Sequence, residues 1–220
     1  MAPSSPARGR ILAGIGIAAA LLFFVGRQLD LPWLRLLAKP LPALVLAVWV
    51  VQGNDRALGR LVSIGLVVSA LGDVLLEAGR FLPGLVAFLG AHVAYVAAFL
   101  SDERRLRLLR LAPFAAWTAS IFPLLRPGLG EMTVPVAVYV GVITIVMWRA
   151  AARVGSPATP RLAARLGIAG AIAFGASDTL IALDRFAQPI PGVQLPILVL
   201  YWLGQWGIAA SAALSAREAR

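Results

Sequence analysis

Two aspartates in apolar surroundings are the residues of this chain with the clearest capacity for chemistry. Asp73 lies in Gly72–Phe81 (GDVLLEAGRF) and Asp178 lies in Ala173–Phe186 (AFGASDTLIALDRF), each within a longer apolar run. A carboxylate at membrane depth is costly unless it faces a protein interior, so each is a functional-site hypothesis by default. Two carboxylates that share one site of low dielectric constant cannot both stay charged, so one can act as a general acid and the other can stabilise a cation. We therefore expect the rest of the chain to bring Asp73 and Asp178 together.

Other polar residues would fall at depths compatible with the two aspartates if the chain crosses the membrane eight times. The candidates for substrate binding are Lys39, His92, Tyr95, Tyr139, Asp184, Arg185, Tyr201 and Gln205. Spacing supports shared faces, because Asp73 and Glu77 are four residues apart on one helix and Asp178 and Arg185 are seven apart. The sequence thus predicts a polar site built from several helices.

Each candidate also has a purely structural interpretation. Asp73 could be a buried carboxylate paired with Lys39, and Lys39 could instead extend to the membrane interface. Glu77, near a helix end, fits an interfacial position. Asp184 is six residues from Asp178 and points elsewhere, so it could cap the helix end or pair with a basic group. Roles in helix packing, interhelical hydrogen bonding or interfacial anchoring stay open for the others, His92, Tyr95, Tyr139, Arg185, Tyr201 and Gln205.

The composition of the 220-residue chain is that of a polytopic membrane protein. It is 60% hydrophobic and 14% charged, with a mean hydropathy of +0.86, whereas soluble domains are about 45–50% apolar and about 25% charged. The apolar excess covers the whole length without a strand-like alternation, which favours helices over an outer-membrane barrel. A net charge of +10 suggests nucleic acid for a soluble protein. Here the basic residues lie between apolar segments and indicate topology and anionic lipid, and we expect no nucleic-acid partner.

Metal and thiol chemistry is disfavoured by residue counts. The chain has no Cys, so it has no thiolate metal site and no Cys nucleophile. Its single histidine, His92, excludes a three-His zinc site within one chain. We expect no metal and no cofactor.

Eight apolar segments predict the architecture, an all-α polytopic membrane helix bundle. They cover residues 11–26, 33–51, 58–79, 81–100, 108–125, 133–151, 162–186 and 195–213. The short Gly79–Pro83 turn predicts an antiparallel hairpin of the third and fourth segments. Most of the basic residues then fall on the side of the two termini, which the positive-inside rule makes cytoplasmic. We expect a disordered basic N-terminus over 1–10, a single eight-helix transmembrane domain over 11–215 and a polar tail over 216–220.

Six motifs in this order resemble one known family. They are Lys39-Pro40 (KP), Leu71–Leu76 (LGDVLL), Phe88–Tyr95 (FLGAHVAY), Tyr139 with Met147 (YVGVITIVM), Phe174–Phe186 (FGASDTLIALDRF) and Tyr201–Gln205 (YWLGQ). Together they resemble the YhhN-type lysoplasmalogenase family of eight-helix membrane proteins, with a mild departure at Asp184, where the family as often has Asn. The resemblance implies hydrolysis of the vinyl-ether bond of lysoplasmalogens to a fatty aldehyde and a glycerophospho-head-group alcohol. It also implies that Asp73 and Asp178 are the active-site aspartates.

The implied chemistry suits a pair of carboxyl groups. A vinyl ether hydrolyses when its outer alkene carbon is protonated and water captures the resulting oxocarbenium ion, which requires one acid and one nearby anion. The residues do not show which aspartate is the acid. Lys39, Arg185 or His92 would hold the lipid phosphate near the outer interface. The expected partners are a lysophospholipid substrate and membrane lipid, in a bacterial cytoplasmic (inner) membrane.

Two other function classes stay open. A small proton-coupled transporter would use intramembrane carboxylates as proton relays, although the repeat symmetry often seen in transporters is missing from this sequence. A non-catalytic lipid-binding membrane protein is the other. The sequence leaves the oligomeric state and the preferred head group undetermined.

Overall fold

A computed structural model describes residues 6–54 and 56–217, and within them every regular element is a helix. The α-helices in this part of the chain are α1 (Pro6–Gln28), α2 (Pro32–Ala38), α3 (Leu41–Gly53), α4 (Ala57–Glu77), α5 (Phe81–Asp102), α6 (Ala112–Leu129), α7 (Thr133–Arg153), α8 (Arg161–Phe186) and α9 (Gln194–Arg217). Short 3₁₀ turns over Leu108–Arg110 and Gly130–Met132 precede α6 and α7. The prediction of an all-α fold is confirmed.

Helices α4 and α5 form the predicted antiparallel hairpin. The turn holds Gly79 at φ +75°, a conformation that strongly favours glycine. The amide of Gly79 donates to the carbonyl of Leu76 (3.0 Å) and the amide of Arg80 to that of Leu75 (2.8 Å). This pair of hydrogen bonds is a Schellman motif, which satisfies the last carbonyls of α4.

The two helices of this hairpin approach each other closely at glycines. Three such contacts lie progressively farther from the turn: Gly84 with Leu76, Gly72 with Phe88, and Gly65 with Tyr95. Because both partners move away from the turn together, the helices run antiparallel along their whole contact.

Helices α6 and α7 form a second antiparallel pair. The hydroxyl of Thr144 donates to that of Thr118 (3.2 Å) midway along the pair, and Arg110 donates to the carbonyl of Ala151 (2.6 Å) at the far end. In each contact, one residue lies before the Gly130–Met132 turn and the other lies about equally far after it along the chain. The apolar stretch 108–153 therefore forms two antiparallel helices joined by a turn.

Seven stretches of the described residues are long and apolar enough to span a membrane. Six of them correspond to single predicted segments, and the seventh, Leu108–Arg153, is 46 residues long and holds both α6 and α7. Helices of 18 and 21 residues are about 27 Å and about 32 Å long, close to the thickness of the hydrocarbon core. The membrane-protein class is confirmed, while eight crossings and cytoplasmic termini stay predictions.

The predicted second segment, 33–51, is two helices rather than one. Helix α2 ends at Ala38 and α3 begins at Leu41, with Lys39 and Pro40 in a turn between them. Pro40 and Pro42 have no amide hydrogen, so they interrupt the ladder of α2 and suit the first turn of a new helix. The turn places Lys39 at the end of α2 instead of inside a continuous helix.

The described chain divides into two compact units. The first comprises Met1–Ala98 with Ala212–Arg220, and the second comprises Phe99–Ser211. In the first, α3 packs against α4 and α1, and α2 packs against α1 and α4; in the second, α7 packs against α6 and α8. Also in the second unit, α8 and α9 approach backbone to backbone, since a Cβ added at Gly207 would lie 2.7 Å from the Cα of Gly170. A single domain over 11–215 stays a prediction.

The ends of the described chain are more helical than expected. Helix α1 begins at Pro6, so 6–10 of the predicted disordered stretch are helical. Extending an existing helix is favourable, and proline suits its first turn, which explains this start. Helix α9 runs to Arg217, and the other predicted end residues, 1–5 and 218–220, lie outside the described residues.

Two arginines that served as topology signals in the sequence, Arg149 and Arg153, are buried. Arg153 donates to Asp102 (2.7 Å) and to the hydroxyl of Ser211 (2.6 Å), and Thr159 donates to the same oxygen of Asp102 (2.7 Å). A buried guanidinium is costly unless it is paired and hydrogen-bonded. Arg153 therefore holds the ends of α5, α7 and α9 together and does not contact lipid.

Arg149 fixes the segment that follows α5. It donates to the backbone carbonyls of Glu103 and Arg105, the latter at 3.0 Å. Hydrogen bonds from Ser156 and from the amide of Arg105 (2.8 Å) hold the pKa of Glu103 below its usual value. The contacts of the buried Arg149 and Glu103 side chains therefore hold the segment after α5 in place.

Candidate functional site

Asp73 lies on α4 and is 2% exposed. One turn earlier, the hydroxyl of Ser69 lies 3.4 Å from that of Tyr95 on α5. Tyr95 and His92 are both fully buried, with their ring centroids 6.2 Å apart in an edge-to-face arrangement. The structure therefore brings three predicted site residues on α4 and α5 into the interior of the first unit.

Lys39 forms an ion pair with Glu77. It does not pair with Asp73, the partner that the sequence suggested. Its Nζ lies 3.2 Å from Oε2 of Glu77, and Nε of Arg35 lies 2.9 Å from Oε1. We call Arg35, Lys39 and Glu77 the ion cluster. The sequence pattern favours an interfacial position for Glu77 and does not single out Arg35. The available signal was the four-residue spacing from Asp73 to Glu77, which places both carboxylates on one face.

Asp178 lies on α8 and has a partner on α7. Tyr139 is buried, and its hydroxyl donates to Oδ2 of the half-buried Asp178 at 2.9 Å. The two helices pack closely here, because a Cβ added at Gly175 would lie 2.9 Å from Sδ of Met147. Tyr139 and Asp178, both predicted from their motifs, therefore form one hydrogen-bonded pair that fixes the carboxyl group.

Helix α9 adds a second polar pair to this unit. Nε2 of Gln205 donates to the hydroxyl of Tyr201 at 3.3 Å, and both side chains are buried. The ring of Tyr201 packs edge-on against Phe174, with centroids 5.4 Å apart. Since Phe174 is one turn before Asp178 on α8, Tyr201 packs on the face of α8 that carries the aspartate.

Two predicted site residues at the end of α8 have local contacts. Oδ1 of Asp184 accepts the amide of Ile190 at 2.7 Å, which holds the loop after α8 and agrees with the helix-end role considered for it. Arg185 is exposed, and its guanidinium lies 5.7 Å from the centre of the Phe186 ring. Substrate contacts by Asp184 and Arg185 stay predictions.

The two aspartates lie in different units, Asp73 in the first and Asp178 in the second. Their meeting in one cavity stays a prediction. Among the described residues, no group of three or more His, Cys, Asp or Glu side chains is placed to hold a metal ion.

Comparison with known proteins identifies the family. Residues 34–212 match the YhhN family. The chain belongs to the YhhN family. The match runs from α2 to α9 and includes every residue of the predicted site.

Several relatives of this YhhN chain carry the name lysoplasmalogenase. It is 35% identical over 189 residues to human lysoplasmalogenase TMEM86B, covering 83% of this chain and 77% of that protein. It is 36% identical over 154 residues to human lysoplasmalogenase TMEM86A, covering 68% of this chain and 63% of that protein. A lysoplasmalogenase of Mycobacterium bovis is 31% identical over 157 residues, covering 66% and 55%. No solved structure matches the YhhN chain.

Proposed function

We propose that this protein is a membrane-embedded hydrolase that cleaves the vinyl-ether bond of lysoplasmalogens, or of a related ether lysolipid. The products are a fatty aldehyde and a glycerophospho-alcohol. The observation that carries the proposal is the YhhN match over residues 34–212, with relatives named lysoplasmalogenase that cover most of the chain. The partners are a lysophospholipid and membrane lipid, and the site of action is a bacterial cytoplasmic membrane.

In the proposed reaction, one of the two aspartates, Asp73 and Asp178, is the acid and the other is the anion. The protonated carboxyl group gives its proton to the outer alkene carbon, and the carboxylate stabilises the oxocarbenium ion that forms. Water adds to the carbon that carries the ether oxygen and returns a proton to the site. The resulting hemiacetal breaks its C–O bond to release the aldehyde and the alcohol. In this scheme Tyr139 orients the carboxyl group of Asp178, which its 2.9 Å hydrogen bond supports.

Substitution of the aspartates tests the proposal. Purified full-length protein should release aldehyde from a lysoplasmalogen, and Asp73→Asn and Asp178→Asn should each lower the rate by about 100-fold or more, the range for loss of a general acid. Glu131→Gln is the matched control, because Glu131 is exposed in the Gly130–Met132 turn and lies outside the proposed site. Full rates in both aspartate variants would exclude the assignment.

The same preparation tests the transporter alternative. In sealed vesicles, lysolipid movement driven by a proton gradient, with no aldehyde formed, would favour a proton-coupled transporter. Binding of lysolipid with neither movement nor cleavage would favour a non-catalytic lipid-binding protein.

A further inference from the structure

The ion cluster has hydrogen-bond donors that no group in the described part of the chain uses. Arg35 donates from Nε to Glu77 (2.9 Å) and from Nη1 to Asp30 (3.3 Å), and within the described residues its Nη2 has no partner. Lys39 donates once, to Glu77 (3.2 Å), and lies 5.8 Å from the centre of the Phe23 ring. An ammonium group has three donors, so two remain. Since one carboxylate fixes both cations, the free donors are held in place.

The charge of the cluster is also unbalanced. Two cations and one carboxylate leave one net positive charge, on side chains that are only 14% exposed for Lys39 and Glu77 and 26% for Arg35. Arg35 also pairs with Asp30, which lies outside the ion cluster. The side chain of Asp30 is 90% exposed, so solvent and salt screen its charge. A singly charged phosphodiester would balance the cluster, and guanidinium and ammonium groups are both common phosphate ligands.

The position of the cluster along α4 matches the dimensions of a lysolipid. Glu77 lies four residues after Asp73, on the same face and about 6 Å farther along the helix axis. In a lysolipid, three glycerol carbons separate the ether oxygen from the phosphate ester oxygen, a span near one helical turn of about 5.4 Å. A phosphate at the cluster therefore brings the vinyl ether level with Asp73.

We infer that Arg35 and Lys39 bind the phosphodiester of the lysolipid and that Glu77 is the positioning residue that holds them; the inference rests on the proposed function. The competing explanation is that the cluster only attaches the Lys39–Pro40 turn to α4. The two explanations differ in what they predict for a substrate that lacks the phosphate.

The experiment compares two substrates, an alkenyl-glycerophosphoethanolamine and the matching alkenylglycerol, on full-length protein in detergent. Arg35→Gln should lower kcat/KM for the phospholipid by about 10- to 100-fold, mainly through KM, as for loss of a charge-assisted hydrogen bond. It should leave kcat/KM for the alkenylglycerol within about twofold. Arg27→Gln is the matched control, since Arg27 is exposed at the end of α1 and its side chain makes no hydrogen bond or ion pair within the described residues.

Glu77→Gln tests the positioning role by changing the charge of the cluster. With two cations and no carboxylate, the variant should shift its preference toward a doubly charged alkenyl-glycerophosphate relative to the phosphodiester. A purely structural Glu77 would not change this ratio. Equal losses on the phospholipid and the alkenylglycerol in Arg35→Gln would overturn the inference.

A binding measurement separates this inference from the proposed function. A non-cleavable 1-alkyl-glycerophosphoethanolamine should bind Arg35→Gln about 10-fold or more weakly than the wild type by calorimetry. If the wild type cleaves neither lipid but binding depends on Arg35, the proposed function fails and the phosphate site stands. If aldehyde is released and neither binding nor kcat/KM depends on Arg35, the function stands and the phosphate site is wrong.

Discussion

Tyr139→Phe removes a single hydroxyl from the proposed site and keeps the ring that packs between α7 and α8. That hydroxyl donates to Oδ2 of Asp178 at 2.9 Å, and the tyrosine is only 7% exposed. Water therefore has little access to replace the lost donor. The variant removes one hydrogen bond of the aspartate and keeps the carboxyl group itself.

The size of the effect follows from the kind of hydrogen bond. With Asp178 as the anion of the pair, a bond to its charged carboxylate contributes about 1.5–3 kcal/mol, and about 1.4 kcal/mol corresponds to tenfold in rate. We expect kcat/KM for aldehyde release to fall by about 10- to 100-fold. The loss should lie mainly in kcat, because Tyr139 orients a reacting group and does not carry the head group.

The assay couples aldehyde release to NADH oxidation by alcohol dehydrogenase, with the Tm in detergent as a control for folding. A double-mutant cycle with Asp178→Asn sharpens the test. If Tyr139 acts through Asp178, adding Tyr139→Phe to Asp178→Asn should cost little further activity. An unchanged kcat/KM in Tyr139→Phe, or the same loss in both backgrounds, would refute the reasoning.

Two further predictions concern stability. Gly207→Ala places a methyl group 2.7 Å from the Cα of Gly170 and should destabilise the protein by about 1–3 kcal/mol, seen as a lower Tm. Gly141→Ala, which meets nothing within 4 Å, is its control and should be neutral or stabilising by up to about 1 kcal/mol. Because the pKa of Glu103 is lowered in the folded state, chiefly by Ser156, its ionised form stabilises the protein above its usual pKa, and this stabilisation is lost as the pH falls through the lowered value. The Tm difference between wild type and Glu103→Gln should therefore be largest near neutral pH and shrink on acidification; a constant difference would contradict this.

Features set by neighbouring residues could be predicted from the sequence. The hairpin of α4 and α5 depends on Gly79 and on a turn too short for any other connection. The motif around Asp178 likewise placed the aspartate inside an apolar helix. In both cases the deciding information lies within a few residues.

Contacts between distant parts of the chain could not be predicted in the same way. Glu77 meets Arg35 across 42 residues, and Arg153 meets Asp102 across 51. Periodicity shows which face of a helix a residue occupies but not which helix lies opposite. The basic residue Arg153 therefore resembles a topology signal in the sequence, although it is buried and paired with Asp102.

The break between α2 and α3 at Lys39 could not be predicted for a different reason. Prolines near the start of an apolar segment fit the beginning of one helix as well as the junction of two. The apolar run from 33 to 51 continues through the junction, so hydropathy alone does not reveal it. The turn at Lys39 and Pro40 in the folded chain decides between the two.

The contacts of Arg153 impose an order on biosynthesis. While the ribosome is still translating α9, Arg153 has already been made but Ser211 has not, although Ser211 is one of its side-chain hydrogen-bond partners in the finished protein. Until α9 arrives, the guanidinium must stay hydrated or among phospholipid head groups, because an incompletely paired cation cannot be buried cheaply. Completion of the polar contacts of the second unit must therefore follow, and not precede, the emergence of the last helix from the translocation machinery.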